Sequence, residues 1–228
     1  MKSLLRFIKQ FFFRRKIKNN ILLIDKPKGI SSFDVIRVLR RKLGIRKMGH
    51  AGTLDPLASG LLIIGIGKGT KKMQEFLHLP KTYIIDILLG KQTDTGDMEG
   101  KIISEKEVGE ISRGEVEKVL GFMEGEIELT VPIYSALKLK GRPFYSYARD
   151  GISIDLPKRK TQIFRLKLLE IYREENNFIL KVEMDCSFGT YARSISEEIG
   201  RRLGYPATIK DLRRTKIGDF LVEKATKI

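Results

Sequence analysis

The sequence is poor in the residues that build metal centres, disulfides and membrane spans. A single cysteine among 228 residues excludes a disulfide framework and a zinc site made of several cysteines. Two histidines leave little material for a histidine-based metal centre. Every apolar run is shorter than the roughly 18 residues that a transmembrane helix needs, so we expect a chain that does not cross a membrane.

Acidic residues are also scarce relative to basic ones. The chain has 44 lysines and arginines against 28 aspartates and glutamates, which gives a formal charge of +16. An excess of this size indicates a polyanionic partner, with nucleic acid the first choice and an anionic membrane surface the second. Hydrophobic residues make up 42% of the chain, a fraction that is typical of a globular protein.

Residues 1–20 form a separate basic segment. They contain seven basic residues and no acid, and they lack the uninterrupted apolar stretch and the cleavage site of a signal peptide. Without these seven charges, residues 21–228 still carry +9, so the basic character belongs to the core as well. We interpret the segment as a basic extension, mobile or docked on the core. RNA-backbone contact and weak membrane-surface association are the alternatives.

Hydrophobic periodicity predicts strands and helices that intermingle along the chain. Strands are expected at 21–24, 61–66, 82–90 and near 101–105, with an antiparallel pair at 161–172 and 177–185. Helices are expected from a cap at Ser31 or Ser32 to about 43, and at about 70–78, 112–120 and 190–203. Ser31 or Ser32 is expected to cap the first of these helices, and Gly44 to end it. Ser112 and Glu115 have the spacing of a capping box, in which the two side chains bond each other's backbone amides, and Thr208 and Asp211 resemble a second one. No regular βαβ rhythm appears, so we predict one α+β core domain with a mixed, mostly antiparallel sheet flanked by helices.

The most informative segment is the sequence GHAGTLDPLASG at 49–60. Its three glycines and one proline predict an irregular loop that leads into the strand at 61–66. Pro56 biases Asp55 away from helical conformation, so the carboxylate is presented from an extended backbone. His50 lies five residues earlier. On these residues alone, a turn with a solvated aspartate and an incidental histidine remains the alternative.

This loop resembles the signature of the TruB family of RNA pseudouridine synthases. Further segments agree with that family in the same order: DKPKGISSFDV (25–35), KTY (81–83), LGKQTDTGDMEG (89–100), PIYSALKLKGRPFYSYARDG (132–151), CSFGTYARS (186–194) and the LRR at 212–214. The resemblance covers about residues 21–222. It implies the pseudouridine synthase fold and a catalytic domain at 21–228.

The resemblance implies a reaction that detaches uracil from its ribose at N1 and reattaches it through C5, with no cofactor and no metal. Asp55 matches the catalytic aspartate, which acts at C1′ as a nucleophile or through elimination to a glycal. The target base has to be flipped into a pocket, where Tyr83 matches the tyrosine that stacks on it. Arg193 matches the arginine that pairs with the catalytic aspartate. The substrate-binding residues implied by the resemblance are His50, Tyr191 and Leu212.

RNA contact is expected mainly from residues 132–167, which hold nine basic residues and two acids with aromatic residues between them. Basic residues follow an RNA backbone, and aromatic rings stack on exposed bases. By resemblance, about 132–160 correspond to the thumb-like insertion with which the family clamps RNA. The candidate RNA contacts are Lys138, Arg142, Arg149, Arg213 and Arg214.

Typical family members continue into a C-terminal RNA-binding domain of the PUA type, which we expect this chain to lack because it ends at Ile228. The resulting interpretation is a cytoplasmic, monomeric tRNA pseudouridine synthase that modifies uridine 55 in the T arm of tRNA. It would need no obligate protein partner. The alternatives are a synthase for another RNA, a catalytically silent RNA-binding or chaperone protein, and a membrane-surface protein built around residues 1–20.

Overall fold

The computed structural model describes residues 20–175 and 177–228. Its strands are β1 (Ile21–Lys26), β2 (Met48–His50), β3 (Ser59–Ile66), β4 (Lys81–Leu89), β5 (Lys91–Thr93), β6 (Ile102–Glu105), β7 (Gly125–Thr130), β8 (Lys138–Leu139), β9 (Arg142–Pro143), β10 (Lys158–Glu174), β11 (Asn177–Cys186), β12 (Ala207–Ile217), β13 (Phe220–Leu221) and β14 (Thr226–Lys227). Its α-helices are α1 (Ser32–Leu43), α2 (Met73–His78), α3 (Arg113–Gly121), α4 (Phe144–Arg149) and α5 (Ala192–Leu203). None of the helices in this described part of the chain is long and apolar enough to span a lipid bilayer.

The chain divides into two compact units. The first unit consists of residues 20–82 and 213–228, and the second consists of residues 83–212, of which position 176 is not described. In the first unit the strand order is β14-β1-β3-β12, and β2 and β13 add to it at β3 and β12. Strand β3 is antiparallel to β1 and β2, whereas β12 and β14 form parallel pairs with β3 and β1. The first unit is therefore a mixed sheet with β3 at its centre.

Strand β3 is buried at every position because apolar side chains cover both faces of the sheet. Successive side chains of a strand point to opposite faces. Leu62 and Ile64 accordingly pack in one cluster with the apolar side of α1. Leu61 and Ile63 pack in a second cluster that includes Met73 at the start of α2. This double burial explains why β3 has a continuous apolar sequence rather than an alternating one.

Helix α1 begins and ends where the sequence predicts. The Ser31 side chain accepts a hydrogen bond from the Asp34 amide, and the Asp34 carboxylate accepts one from the Ser31 amide, which completes a capping box. Gly44 ends the helix in the left-handed conformation with φ 71°, a conformation that a residue with a Cβ adopts at a cost. These local signals fix the orientation of the segment that leads from the helix to β2.

In the second unit the strand order is β12-β4-β11-β10-β7. The 17-residue strand β10 is antiparallel to β7 along its first part and to β11 along the rest, with register shifts near Ile163 and Leu168. Short antiparallel pairs, β5–β6 and β8–β9, stand apart from this sheet. Helix α3 begins at the predicted capping box of Ser112 and Glu115. The antiparallel pair expected at 161–185 is thus confirmed.

One predicted capping box is wrong. Residues 207–217 form strand β12 rather than a helix beginning near Thr208 and Asp211. Thr208 is fully buried, and its hydroxyl pairs with the Thr93 hydroxyl at 3.0 Å, so it does not cap a helix. The segment expected to be helical at 70–78 begins with a 3-10 turn over Gly67–Lys72 before α2. The prediction for 1–20 lies, except for Asn20, outside the described residues.

Candidate active site

The loop that carries Asp55 lies between β2 and β3 and is bonded to the first unit on both sides of the aspartate. On one side, the Leu54 amide donates to Ser32 Oγ at 2.8 Å, and the same hydroxyl donates to the Leu54 carbonyl at 3.1 Å. On the other side, the Pro56 carbonyl accepts from the Gly29 amide at 2.8 Å and from Lys26 Nζ at 3.4 Å. Asp55 is therefore presented from a backbone that is held at both neighbouring residues.

His50 ends strand β2, five residues before Asp55. Burial lowers the pKa of its imidazole, and the positive charge of Arg214 acts in the same direction, while a backbone hydrogen bond at Gly52 opposes them. Lowering the pKa of a histidine favours the neutral ring near pH 7. A neutral imidazole next to the loop is suited to hydrogen bonding with RNA rather than to ion pairing with phosphate.

The two arginines of the LRR segment occupy different environments because they alternate along β12. Arg213 makes two hydrogen bonds to the Asp25 carboxylate at 2.9 and 3.0 Å, and its side chain is 39% exposed. Arg214 is 1% exposed. A guanidinium buried in this way is not accessible to an RNA phosphate, so the prediction that Arg214 contacts RNA is corrected.

Three further predicted residues lie in the second unit. Tyr83 is on β4 and Leu212 is on β12, and both side chains are buried. Tyr191 is the residue before the first turn of α5 and is half-buried. The helix predicted from Thr190 thus begins two residues later, at Ala192, and this places Tyr191 at its N-terminal boundary.

Arg193 lies in the first turn of α5 and is 6% exposed. Its guanidinium donates to the Thr95 carbonyl at 3.0 Å and to the Tyr134 carbonyl at 2.8 Å. Carbonyl acceptors satisfy a buried guanidinium near a helix N-terminus, where the helix dipole by itself disfavours a cation. Sequence analysis misses these acceptors, because any residue type carries a backbone carbonyl.

The turn that supplies the Thr95 carbonyl is organised by a buried aspartate. The Asp97 carboxylate accepts from the Thr95 hydroxyl at 2.7 Å and from the Glu99 amide at 3.1 Å. Backbone bonds also join this turn to β12, because the Met98 amide donates to the Ile209 carbonyl and the Ile209 amide donates to the Gly96 carbonyl. The position of Arg193 therefore depends on a turn that is itself fixed by side-chain and backbone bonds.

Residues 132–160, which the resemblance predicts to form the thumb-like insertion, pair cations with aromatic rings. The Arg142 guanidinium lies 4.4 Å from the centre of the Tyr147 ring, and Arg149 lies 5.3 Å from that of Tyr145. Arg142 also bonds Ser146 and forms an ion pair with Asp150. Lys138 is exposed on the short strand β8. The segment therefore presents basic and aromatic groups side by side, as the sequence predicts.

Comparisons with known proteins identify the family of this chain. Residues 40–192 match the family described as "TruB family pseudouridylate synthase (N terminal domain)". The tRNA pseudouridine synthase B of Caldicellulosiruptor saccharolyticus is 45% identical over 207 residues, which cover 91% of this chain and 70% of that protein. The tRNA pseudouridine synthase B of Geobacillus kaustophilus is 43% identical over 210 residues, which cover 90% of this chain and 73% of that protein.

Solved structures show the same fold. A chain of "Crystal Structure of a Cbf5-Nop10-Gar1 Complex" matches with a TM-score of 0.68 and 26% identity, over 95% of this chain and 54% of that one. A chain of "Structure of H/ACA RNP bound to a substrate RNA containing 2'-deoxyuridine" matches with a TM-score of 0.66 and 25% identity, over 94% of this chain and 52% of that one. This chain thus spans about half the length of those solved chains.

The solved structures confirm the α+β pseudouridine synthase fold. The family model and the curated relatives show the class of enzyme, an isomerase that makes pseudouridine. The chain belongs to the TruB family of pseudouridylate synthases.

Proposed function

We propose that the chain isomerises uridine 55, in the T loop of tRNA, to pseudouridine. The observation that carries the proposal is the Asp55 loop, held at both neighbours of the aspartate, in a chain whose relatives at 45% and 43% identity are named tRNA pseudouridine synthase B. In this reaction the N1–C1′ bond breaks and a C5–C1′ bond forms. C5 loses a proton and N1 gains one, so no oxidant, reductant or energy source is needed.

The proposed catalytic set is Asp55, Tyr83 and Arg193. Asp55 acts on the ribose, by attack at C1′ or by elimination through a glycal, and either route requires its carboxylate to stay in one position. The bonds to Leu54 and Pro56 supply that constraint. Tyr83 stacks on the flipped base, and Arg193 supplies the positive charge of the set.

The proposed substrate-binding residues are His50, Tyr191 and Leu212. His50 suits hydrogen bonding to the RNA around the flipped nucleotide, because burial and Arg214 favour its neutral form. A tyrosine and a buried leucine suit the faces of a uracil ring.

The proposed RNA-binding surface consists of the thumb-like insertion at about 132–160 and Arg213. Lys138, Arg142 and Arg149 are the cations of the insertion, and two of them already lie against aromatic rings. Removing one cation that contacts phosphate lowers the slope of log affinity against log salt by about 1. Lys138→Ala is the clearest test, because Lys138 is exposed.

We further propose that residues 21–228 act as one catalytic domain, as a monomer in the cytoplasm, and bind the T arm without an obligate protein partner. Residues 1–20 add contacts to the RNA backbone through their seven basic residues. Deletion of 1–20 is expected to weaken tRNA binding and to flatten its salt dependence. Light scattering on the enzyme alone and with tRNA measures the stoichiometry.

The experiment that tests the activity uses unmodified tRNA and its isolated T-arm stem-loop, both labelled with tritium at C5 of uridine. The enzyme is added without metal or ATP, and tritium release reports the proton lost from C5. Asp55→Asn is compared with Asp219→Asn, a matched carboxylate change in the turn between β12 and β13. We expect release from uridine 55 with the wild type and with Asp219→Asn, and none with Asp55→Asn, while all three bind tRNA.

Release at a uridine outside the T loop would replace the proposed substrate. Binding of tRNA without release by the wild type would favour an RNA-binding or chaperone protein instead. Activity on the stem-loop alone would show that the chain needs only the T arm.

A further inference from the structure

Arg214 is a buried cation whose position is not explained by RNA binding. Its side chain is 1% exposed, and burying a guanidinium is costly unless its N–H groups are bonded. Nε donates to the Leu61 carbonyl at 2.8 Å, and a terminal N–H donates to the Gly52 carbonyl at 3.1 Å. All of these residues lie in the first unit.

The two carbonyls bracket the loop that carries Asp55. Gly52 lies three residues before the aspartate and Leu61 six residues after it. One planar side chain therefore connects the beginning of the loop to the strand that follows it. An arginine presents several donors in a rigid fork, whereas lysine has a single flexible ammonium group. This geometry requires the fork and not only the charge.

The surrounding backbone is shaped to accept this arginine. Arg214 pairs with Gly60 in the parallel register of β12 and β3. Gly60 has φ 106°, and a Cβ there would lie 2.2 Å from the Arg214 carbonyl oxygen. Gly52 has φ 90°, and a Cβ there would lie 3.6 Å from a guanidinium nitrogen of Arg214. Gly60 thus lets β12 approach β3 closely, whereas at Gly52 a Cβ would make ordinary van der Waals contact and only the positive φ favours glycine.

We propose that Arg214 is a positioning residue, which fixes the backbone on both sides of Asp55 and so holds the carboxylate in its reactive position. It acts through the loop and does not touch the substrate. The inference rests on the proposed function of Asp55. It goes further by assigning the second arginine of the LRR segment a role in turnover rather than in RNA affinity.

The test compares Arg214→Met, which keeps the aliphatic length, with Arg214→Lys, which keeps the charge without the fork. Single-turnover tritium release from labelled tRNA gives the rate of the chemical step, and filter binding gives the affinity. A displacement of about 1 Å at a reacting group costs roughly 100-fold in rate. We therefore expect a fall of about 100-fold for Arg214→Met and about 10-fold for Arg214→Lys. The affinity for tRNA should stay within about threefold of the wild type.

The matched control is Thr215→Val on the same strand. The Thr215 hydroxyl donates to the Thr82 carbonyl at 3.3 Å, which lies outside the loop that carries Asp55. This variant removes a hydrogen bond of β12, and its rate should stay within about twofold of the wild type. Equal losses of rate in Thr215→Val and Arg214→Met would show a general effect of strand stability and overturn the proposal.

A further readout follows His50 by nuclear magnetic resonance. Arg214→Met removes the charge that helps to lower the pKa of His50, so the His50 pKa should rise. Folded Arg214→Met with the wild-type rate would overturn the proposal. If that variant does not fold, Arg214→Lys decides, because a wild-type rate there would show that the fork is dispensable. Failure of the wild type and Thr215→Val to release tritium would instead count against the proposed function.

Discussion

Ser32 provides the sharpest test of how the first unit holds the Asp55 loop. Its hydroxyl accepts from the Leu54 amide at 2.8 Å and donates to the Leu54 carbonyl at 3.1 Å, and the residue is 1% exposed. Ser32→Ala leaves both backbone groups of Leu54 without this partner in a buried place. Each unsatisfied buried group costs about 1–3 kcal/mol, so we expect the two groups to lower the free energy of unfolding by about 2–6 kcal/mol.

The neighbouring serine is a matched control. Ser31 is half-buried and caps α1, and removal of such a cap costs about 1 kcal/mol. Urea unfolding of Ser31→Ala and Ser32→Ala therefore compares the same atom deletion at adjacent positions. For a protein of this size, about 2–6 kcal/mol corresponds to a fall in Tm of about 4–24 °C.

Ser32→Ala should also slow tritium release more than Ser31→Ala, because only Ser32 bonds the residue next to Asp55. An equal or smaller loss of stability in Ser32→Ala, with an unchanged urea m-value, would refute the reasoning. It would mean that the Leu54 backbone finds other partners at no cost.

Three other predictions concern a glycine, a buried acid and a tyrosine. Gly60→Ala should lower the free energy of unfolding by about 3 kcal/mol or more, whereas the control Gly44→Ala should lower it by about 1 kcal/mol. Both glycines have a positive φ, but of the two only Gly60 has backbone atoms where a Cβ would lie. Burial raises the pKa of Glu197 above its ordinary value of 4.5, so ionisation of this carboxyl lowers the stability of the protein above that pH. Glu197→Gln should therefore be more stable than the wild type at pH 7. The difference between the two free energies of unfolding, measured in urea, should shrink below pH 4.5. Burial, and then the charge of Asp86, raise the pKa of Tyr172 to about 12. Asp86→Asn should lower this pKa, which a tyrosinate absorbance titration measures with Tyr172→Phe as the blank. An unchanged pKa of Tyr172 would contradict the effect assigned to Asp86.

The sequence by itself determined the elements that depend on local signals. The capping boxes at Ser31 and Ser112 and the terminating Gly44 predict their helices, because each motif satisfies its own backbone groups within one turn. The continuous apolar run at 61–66 predicts β3, because a strand that is buried on both faces has apolar residues at successive positions. The Asp55 loop was also identifiable, since its glycines and proline exclude regular structure and the resemblance supplied its chemistry.

Tertiary structure overrode the same kind of signal at Thr208 and Asp211. The pair has the spacing of a capping box, yet it lies within β12. Thr208 is buried beside Thr93, more than one hundred residues away in sequence. A hydrogen bond that joins distant segments leaves no trace in a short sequence window, and it replaces the local bond on which the helix prediction depends.

The two arginines at 213 and 214 show the same limit within the candidate site. Sequence analysis treats them alike, as basic residues suited to RNA. Only the pairing of β12 with β3 decides that Arg213 meets Asp25 while Arg214 enters the interior and bonds the carbonyls of Gly52 and Leu61. Residue type determines that a cation is present, but the strand's register determines its surroundings, because a shift of one residue exchanges the two faces of a strand.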